Sequence, residues 1–229
     1  MRLSDNIKER FFQVLNGSIR LADFEQWLYA DKEIETCLSN EDYTDLVSIN
    51  FKGDNAKYEL WKLLKKHIDL GEFETYKMLE LLRNAQQKDE RLPYILMELY
   101  ELYCKGYGFL QDVGLGFGLK VTVPGVNHPS IDSWEELSIE QQKELLSGFS
   151  PELEECIEQV IHWLEAKKVI LTGEQDEIGH YSYNDFRTEE EKESKVLVTI
   201  LEDKTTGFSV SKNTLLKKQT DKKWWKFWK

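Results

Sequence analysis

The sequence predicts a mainly α-helical fold, an antiparallel helical array with a small β element in the C-terminal half. Three observations predict it. Apolar residues recur at three- and four-residue spacing through the first hundred positions. The 229 residues include only 4 prolines and 13 glycines, which leaves long stretches free to be helical. Glycine-rich and β-rich segments are confined to the part of the chain after Gly106.

Phe11, Phe12, Val14 and Leu15 give the first helix its apolar face, and Asn16-Gly17-Ser18 breaks it. A second helix begins near Leu21, with Phe24, Trp27 and Leu28 at helical spacing, and Ser39 with Asp42 has the form of a capping box opening a third through Tyr43, Leu46 and Val47. Tyr58, Trp61, Leu63, Leu64 and Ile68 mark another, with a stop expected near Leu70-Gly71. Phe73, Tyr76, Met78, Leu79, Leu81 and Leu82 mark the next. Pro93 suits the first turn of a helix through Leu96, Leu99, Tyr100 and Tyr103.

After Gly106 the character changes. Leu119-Lys120-Val121-Thr122-Val123 is expected to be a strand or an extended connection, and Gly114-x-Gly116-x-Gly118 a flexible crossing loop. Helix signals return with Ser138 and Gln141 as a capping box. Ser150-Pro151-Glu152 follows, read as serine cap and proline at the first position of a helix that buries Leu153, Cys156, Ile157, Val160, Ile161 and Leu164. Val169–Gly173, Tyr181–Tyr183, Val196–Ile200 and Phe208–Val210 are strand candidates, although Thr188 with Glu191 could instead cap a helix running into the third. The organisation expected is a helical region over residues 1–105, an α+β region over 106–211 packed on it as one domain, and a basic aromatic tail over 212–229.

The bulk composition, 41% apolar and 31% charged, is that of a globular chain. No apolar run approaches the roughly 20 residues needed to span a bilayer. The charged segment after Met1 lacks a signal peptide's apolar core, so a cytoplasmic location is expected. Cys37, Cys104 and Cys156 are dispersed in apolar helical settings, which predicts three reduced, mostly buried thiols.

Chemistry-bearing patterns are few. His67, His128, His162 and His180 lack a second His or Cys at metal-ligand spacing, no Gly-x-Ser-x-Gly elbow occurs, and the glycine run lacks the Lys-Ser/Thr of a phosphate loop. No cofactor is called for. The net charge of −12 disfavours nucleic acid and favours a cationic protein partner. Two acidic clusters, Glu41, Asp42 and Asp45, and Glu174, Asp176 and Glu177, are the candidate partner-binding residues.

The tail is the sharpest local departure. Seven lysines and one aspartate from Lys212 to Lys229 give it +6 and leave −18 on the rest. Lysine interleaved with Trp224, Trp225, Phe227 and Trp228 suits a membrane interface, nucleic acid bound by stacking and charge, docking back onto the acidic body, or a simply disordered tail. Any membrane contact is expected through this tail only.

Two stretches carry a resemblance. One runs from Phe11 to Phe51, with its Asn16-Gly17 turn and its Asp23-Phe24-Glu25-x-Trp27-Leu28-Tyr29 and Tyr43-x-x-Leu46 helices. The other runs from Leu164 to Arg187, where Ile170-Leu171-Thr172-Gly173 leads to Tyr181-x-Tyr183-x-Asp185-x-Arg187. Together they resemble small cytosolic proteins of low-GC Gram-positive bacteria, including immunity proteins encoded beside polymorphic toxins. The resemblance implies a stoichiometric binding protein that blocks a toxin domain and transfers no catalytic residue; the tail is not part of it. Two alternatives stand beside it: an enzyme with a site at His180, Tyr181, Tyr183, Asp185 and Arg187, and a peripheral membrane protein using the tail.

Overall fold

The computed structural model describes residues 3–126, 130–202 and 209–215. The protein is mainly α-helical, with its β structure in the C-terminal half. The chain divides into two compact units, Met1–Glu80 with Ile170–Asn184, and Leu81–Val169 with Asp185–Lys229.

The first unit is built on α1 (Asp5–Asn16), α2 (Leu21–Ala30), α3 (Glu33–Cys37), α4 (Asn40–Val47), α5 (Ala56–Leu64) and the start of α6 (Leu70–Gln86). Gly17, at φ +79°, ends α1 where the sequence places the break. The Ser39 hydroxyl caps α4 by accepting the Asp42 amide. Ile7, Phe11, Phe24, Leu28, Ile34, Leu46, Leu60 and Leu64 are almost fully buried, each contributing on the order of 1.5–3 kcal/mol of burial. Phe24 stands at their centre, its ring 5.3 Å from Trp27, 6.0 Å from Phe51 and 6.2 Å from Phe11.

The expected stop at Leu70-Gly71 is instead the opening of α6. Asp69 accepts the Glu72 amide at 2.8 Å, an N-cap contact, so the chain turns into a helix there. The same unit holds the hairpin of β1 (Val169–Gln175), whose residues from Ile170 belong to it, and β2 (Tyr181–Asp185), which pair with each other. A connection of five residues permits only antiparallel pairing. Thr172 ties the strands by donating to the Ser182 carbonyl at 2.9 Å.

The second unit contains the end of α6, then α7 (Leu92–Cys104), a π-helix (Gln111–Gly118), α8 (Leu119–Thr122), α9 (Ile139–Ser147), α10 (Glu152–Glu165) and α11 (Glu189–Lys192). Pro93 lies in the first turn of α7, as its sequence position implies. The glycine run is no flexible loop, and 119–123 is no strand: the segment is helical throughout from Gln111 to Thr122. A Cβ on Gly114 would meet the Leu99 carbonyl at 2.8 Å, and one on Gly118 the Leu96 carbonyl at 2.3 Å. The glycines therefore let the π-helix lie backbone-close along α7, antiparallel to it. Burial of Val121 against this pair overrides the strand preference of its β-branched neighbours.

Pro151 occupies the cap position of α10, and Ser150 is not its N-cap. The Ser150 hydroxyl donates to Glu154 at 2.7 Å, which also receives Lys88. Thr188 and Glu191 do form a capping box, but for the short α11 alone, after which the chain becomes β3 (Val196–Glu202). β3 pairs antiparallel with β4 (Ser209–Leu215), from Val196 opposite Leu215 to Glu202 opposite Ser209. Asp112 of the π-helix fixes the root of β3 by accepting the Lys195 amide at 3.1 Å, the Val196 amide at 3.4 Å and the Ser194 hydroxyl.

Candidate functional site

Both acidic clusters named from the sequence lie in the first unit. Glu41 and Asp45 are exposed one turn apart on α4. Like charges at that spacing repel by a few tenths of a kcal/mol, and Glu41 alone benefits from the positive end of the helix dipole. Asp42 has a different role. The Ser39 hydroxyl, donating at 2.6 Å, foremost, with His67 at 3.5 Å and Lys66 at 4.0 Å, holds its carboxyl below the usual carboxylate range. It is a capping residue with partners of its own.

The acidic surface extends beyond the sequence candidates. From Asp31 to Asp45 there are six carboxylates and a single lysine. Glu33 and Glu35 of α3 are exposed, and among the described residues no cation lies within 4.0 Å of Glu33, Glu35, Glu41 or Asp45. Tyr29, at 60% exposure, stands beside this stretch, its hydroxyl donating to the Val47 carbonyl at 3.2 Å. Glu33 and Glu35 form one of several acidic clusters visible in the sequence, which alone does not rank them above the others, and Tyr29 at helical spacing has the signature of a core residue.

The second cluster surrounds the turn of the β1–β2 hairpin. The root is buried at Leu171, and every residue from Glu174 to Ile178 is exposed. Asp176 organises the turn: its carboxylate accepts the His180 amide at 2.8 Å and the Ile178 amide at 3.0 Å, and these bonds depress its pKa, the His180 bond most. Among the described residues, Glu174 and Glu177 have no cation within 4.0 Å. Between them and the turn's end stands Ile178, 77% exposed. An isoleucine inside an Asp-Glu-Ile-Gly turn was the available signal, and the sequence reading passed over it.

The residues of the enzyme alternative are engaged in structure. His180 is half-exposed, with Nδ1 3.9 Å from Asp176. Tyr181 and Tyr183 lie half-buried on β2. In the second unit, Arg187 makes a two-pronged contact with Asp185 at 2.8 and 2.9 Å, and its guanidinium stacks 4.5 Å from the Trp163 ring centre. The Arg187 side chain is only 7% exposed, and its guanidinium holds the Asp185 carboxyl below its ordinary pKa.

Among the described residues, no three His, Cys, Asp or Glu are grouped to hold a metal ion, and no helix is long and apolar enough to cross a membrane. The cysteines are all free, but they are not uniformly buried. Cys156 is buried, its thiol pushed up to about 12 by desolvation first and by the Asp112 charge second. Cys37 is partly covered, and Cys104 is exposed. Cys104 sits in the last turn of α7, about 140° around the helix from the buried Leu99 at about 100° per residue. Trp224, Trp225, Phe227 and Trp228 lie outside the described residues.

The second unit also carries a cleft of about 640 Å³ between the start of α7 and α9. Its apolar surface comes from Pro93, Tyr94, Trp134, Ile139 and Leu146. Compared with known proteins, the chain matches no family model, no curated protein and no solved structure.

Proposed function

We propose that this chain is a stoichiometric binding protein for a cationic protein partner, and specifically an immunity protein that neutralises a cognate toxin domain in the cytoplasm. The observation that carries the reading is the α3–α4 surface, where Glu33, Glu35, Glu41 and Asp45 are exposed without a cation within 4.0 Å among the described residues. An uncompensated acidic surface raises the association rate of a basic partner through long-range steering and excludes partners of like charge. The hairpin turn adds Glu174 and Glu177 around the exposed Ile178, a charged rim about one apolar side chain, which is the arrangement of an interface anchor. The resemblance of Phe11–Phe51 and Leu164–Arg187 to immunity proteins supports the same reading.

The neighbouring reading frame tests the specific part. A large secreted protein with a variable C-terminal domain encoded beside this chain is the expected result, and that domain, co-expressed alone, should arrest growth that this chain restores. A metabolic operon at that place, or a toxic domain that this chain fails to neutralise, would contradict it.

A further inference from the structure

The cleft of the second unit has an apolar floor, and one wall is α9, a helix that is only partly covered along its length. None of the nine residues of α9 is buried. Ile139 is 63% exposed on one wall and Tyr94 54% exposed on the other, while Trp134 forms the floor at 5%. From Ser130 to Ser147 there are five carboxylates and one lysine. The lining carries three carboxylates and two cations: Arg91 is paired with Asp89 at 2.6 Å, Lys143 stands on the α9 wall, and Glu90 and Glu135 have no cation within 4.0 Å among the described residues. A volume of 640 Å³ falls in the range of sites that enclose several ring-sized groups.

The chain itself has a segment of matching chemistry. Residues 216–229, outside the described part, carry six lysines, one aspartate and the aromatic residues Trp224, Trp225, Phe227 and Trp228. They begin at a defined place in the same unit. Leu215 pairs with Val196, and Val196 packs on Gly116, whose Cβ it would meet at 3.1 Å. The π-helix bearing Gly116 lies along α7 at Leu96 and Leu99. One helix-packing distance of about 10 Å and a few residues at about 1.5 Å along α7 separate this root from Tyr94, on the order of 20 Å in all. Fourteen residues reach about 46 Å when extended, at about 3.3 Å each.

We infer that residues 216–229 dock in this cleft in cis, seating aromatic rings between Tyr94 and Ile139 while their lysines face Glu90 and Glu135. The aromatic groups supply the apolar cover that α9 lacks, and the lysines neutralise the rim. The inference is independent of the α3–α4 surface.

Limited trypsin digestion of the full chain tests it, with cleavage after Lys222 and Lys223 followed by mass spectrometry. Ile139→Glu and Tyr94→Ala should each raise that cleavage rate about tenfold, while Val123→Ser, an exposed position of the same unit away from the cleft, should leave it unchanged. Should a cleft variant fold poorly, Trp225→Ala with Trp228→Ala must produce the same acceleration without touching the body. Equal rates in the wild type and the cleft and tail variants overturn the inference, as does acceleration by Val123→Ser. Protection that rises with protein concentration also overturns it, since the occupant is then a second copy.

Discussion

A methyl group on Gly71 would lie 2.1 Å from the carbonyl oxygen of Leu171, so the first turn of α6 and strand β1 meet backbone to backbone. The contact is reciprocal: at Gly173, φ +72°, a Cβ would fall 2.5 Å from Leu70 Cβ. This crossing holds the hairpin that presents Glu174, Glu177 and Ile178. Gly71→Ala should therefore destabilise the first unit by about 1–3 kcal/mol, because a backbone oxygen cannot step aside. The clash exceeds the helix-propensity gain of about 1 kcal/mol that alanine brings elsewhere. A lowered melting temperature checks this; an unchanged or raised one would show that the crossing relaxes.

Arg187 is expected to be the most sensitive charged position in the second unit. Arg187→Ala leaves the Asp185 carboxylate, 21% exposed, without its partner and uncovers Trp163. The expected loss is about 3–5 kcal/mol, as for a buried pair broken on one side. Arg187→Lys should cost less but remain destabilising, since an ammonium can neither bridge both carboxylate oxygens nor stack flat. Chemical denaturation of the three proteins measures the order, and a lysine variant as stable as the wild type would contradict it.

Acid should expose the same pair together with Glu191. The Lys168 ammonium at 2.5 Å, foremost, and the Thr188 amide lower the Glu191 carboxyl to about 2, and Arg187 lowers that of Asp185. A carboxyl depressed in the folded state adds stability above its unfolded value, about 4, and that stability disappears as pH falls through the folded value. The melting temperature should be level from about pH 7 to 5 and fall between about pH 4 and 2. Lys168→Met should begin lower at pH 7 and lose less over that interval.

Thiol reactivity should separate the cysteines. Cys104 is the fast site, Cys37 slower, and Cys156 silent until unfolding, because a buried thiol with its pKa near 12 presents almost no thiolate at neutral pH. Cys104→Ser should abolish the fast phase of labelling by a disulfide reagent; a fast phase that survives would contradict the assignment.

What the sequence made legible was local. Ser138 with Gln141 and Thr188 with Glu191 fix helix starts through bonds three residues apart, and both boxes are present in the structure. The α1 stop at Gly17 and the start of α7 at Pro93 are of the same kind. What stayed hidden depends on partners distant in the chain. Gly114 and Gly118 look like a loop until the carbonyls of Leu99 and Leu96 are set against them. The cleft draws its walls from Tyr94 and Ile139, which no short window joins. Asp69 three residues before Glu72 has the spacing of a helix cap, while Leu70-Gly71 by itself has the composition of a stop. At the acidic surface, the carboxylates of α4 were found by counting charge, whereas the engagement of Asp42 by Ser39 and His67 required the fold.

The proposed function rests on binding of a cationic protein through α3 and α4. The measurement is stopped-flow association, at low and at physiological salt, between this chain and the cationic C-terminal domain that the proposed function expects to be encoded beside it. A variant with Glu33→Gln, Glu35→Gln, Glu41→Gln and Asp45→Asn leaves Ser39, the α4 cap, and its partner Asp42 in place. The expected result is a one-to-one complex whose association rate falls about tenfold or more in the variant at low salt, with the difference narrowing as salt screens the surface. Equal association rates at low salt would contradict it.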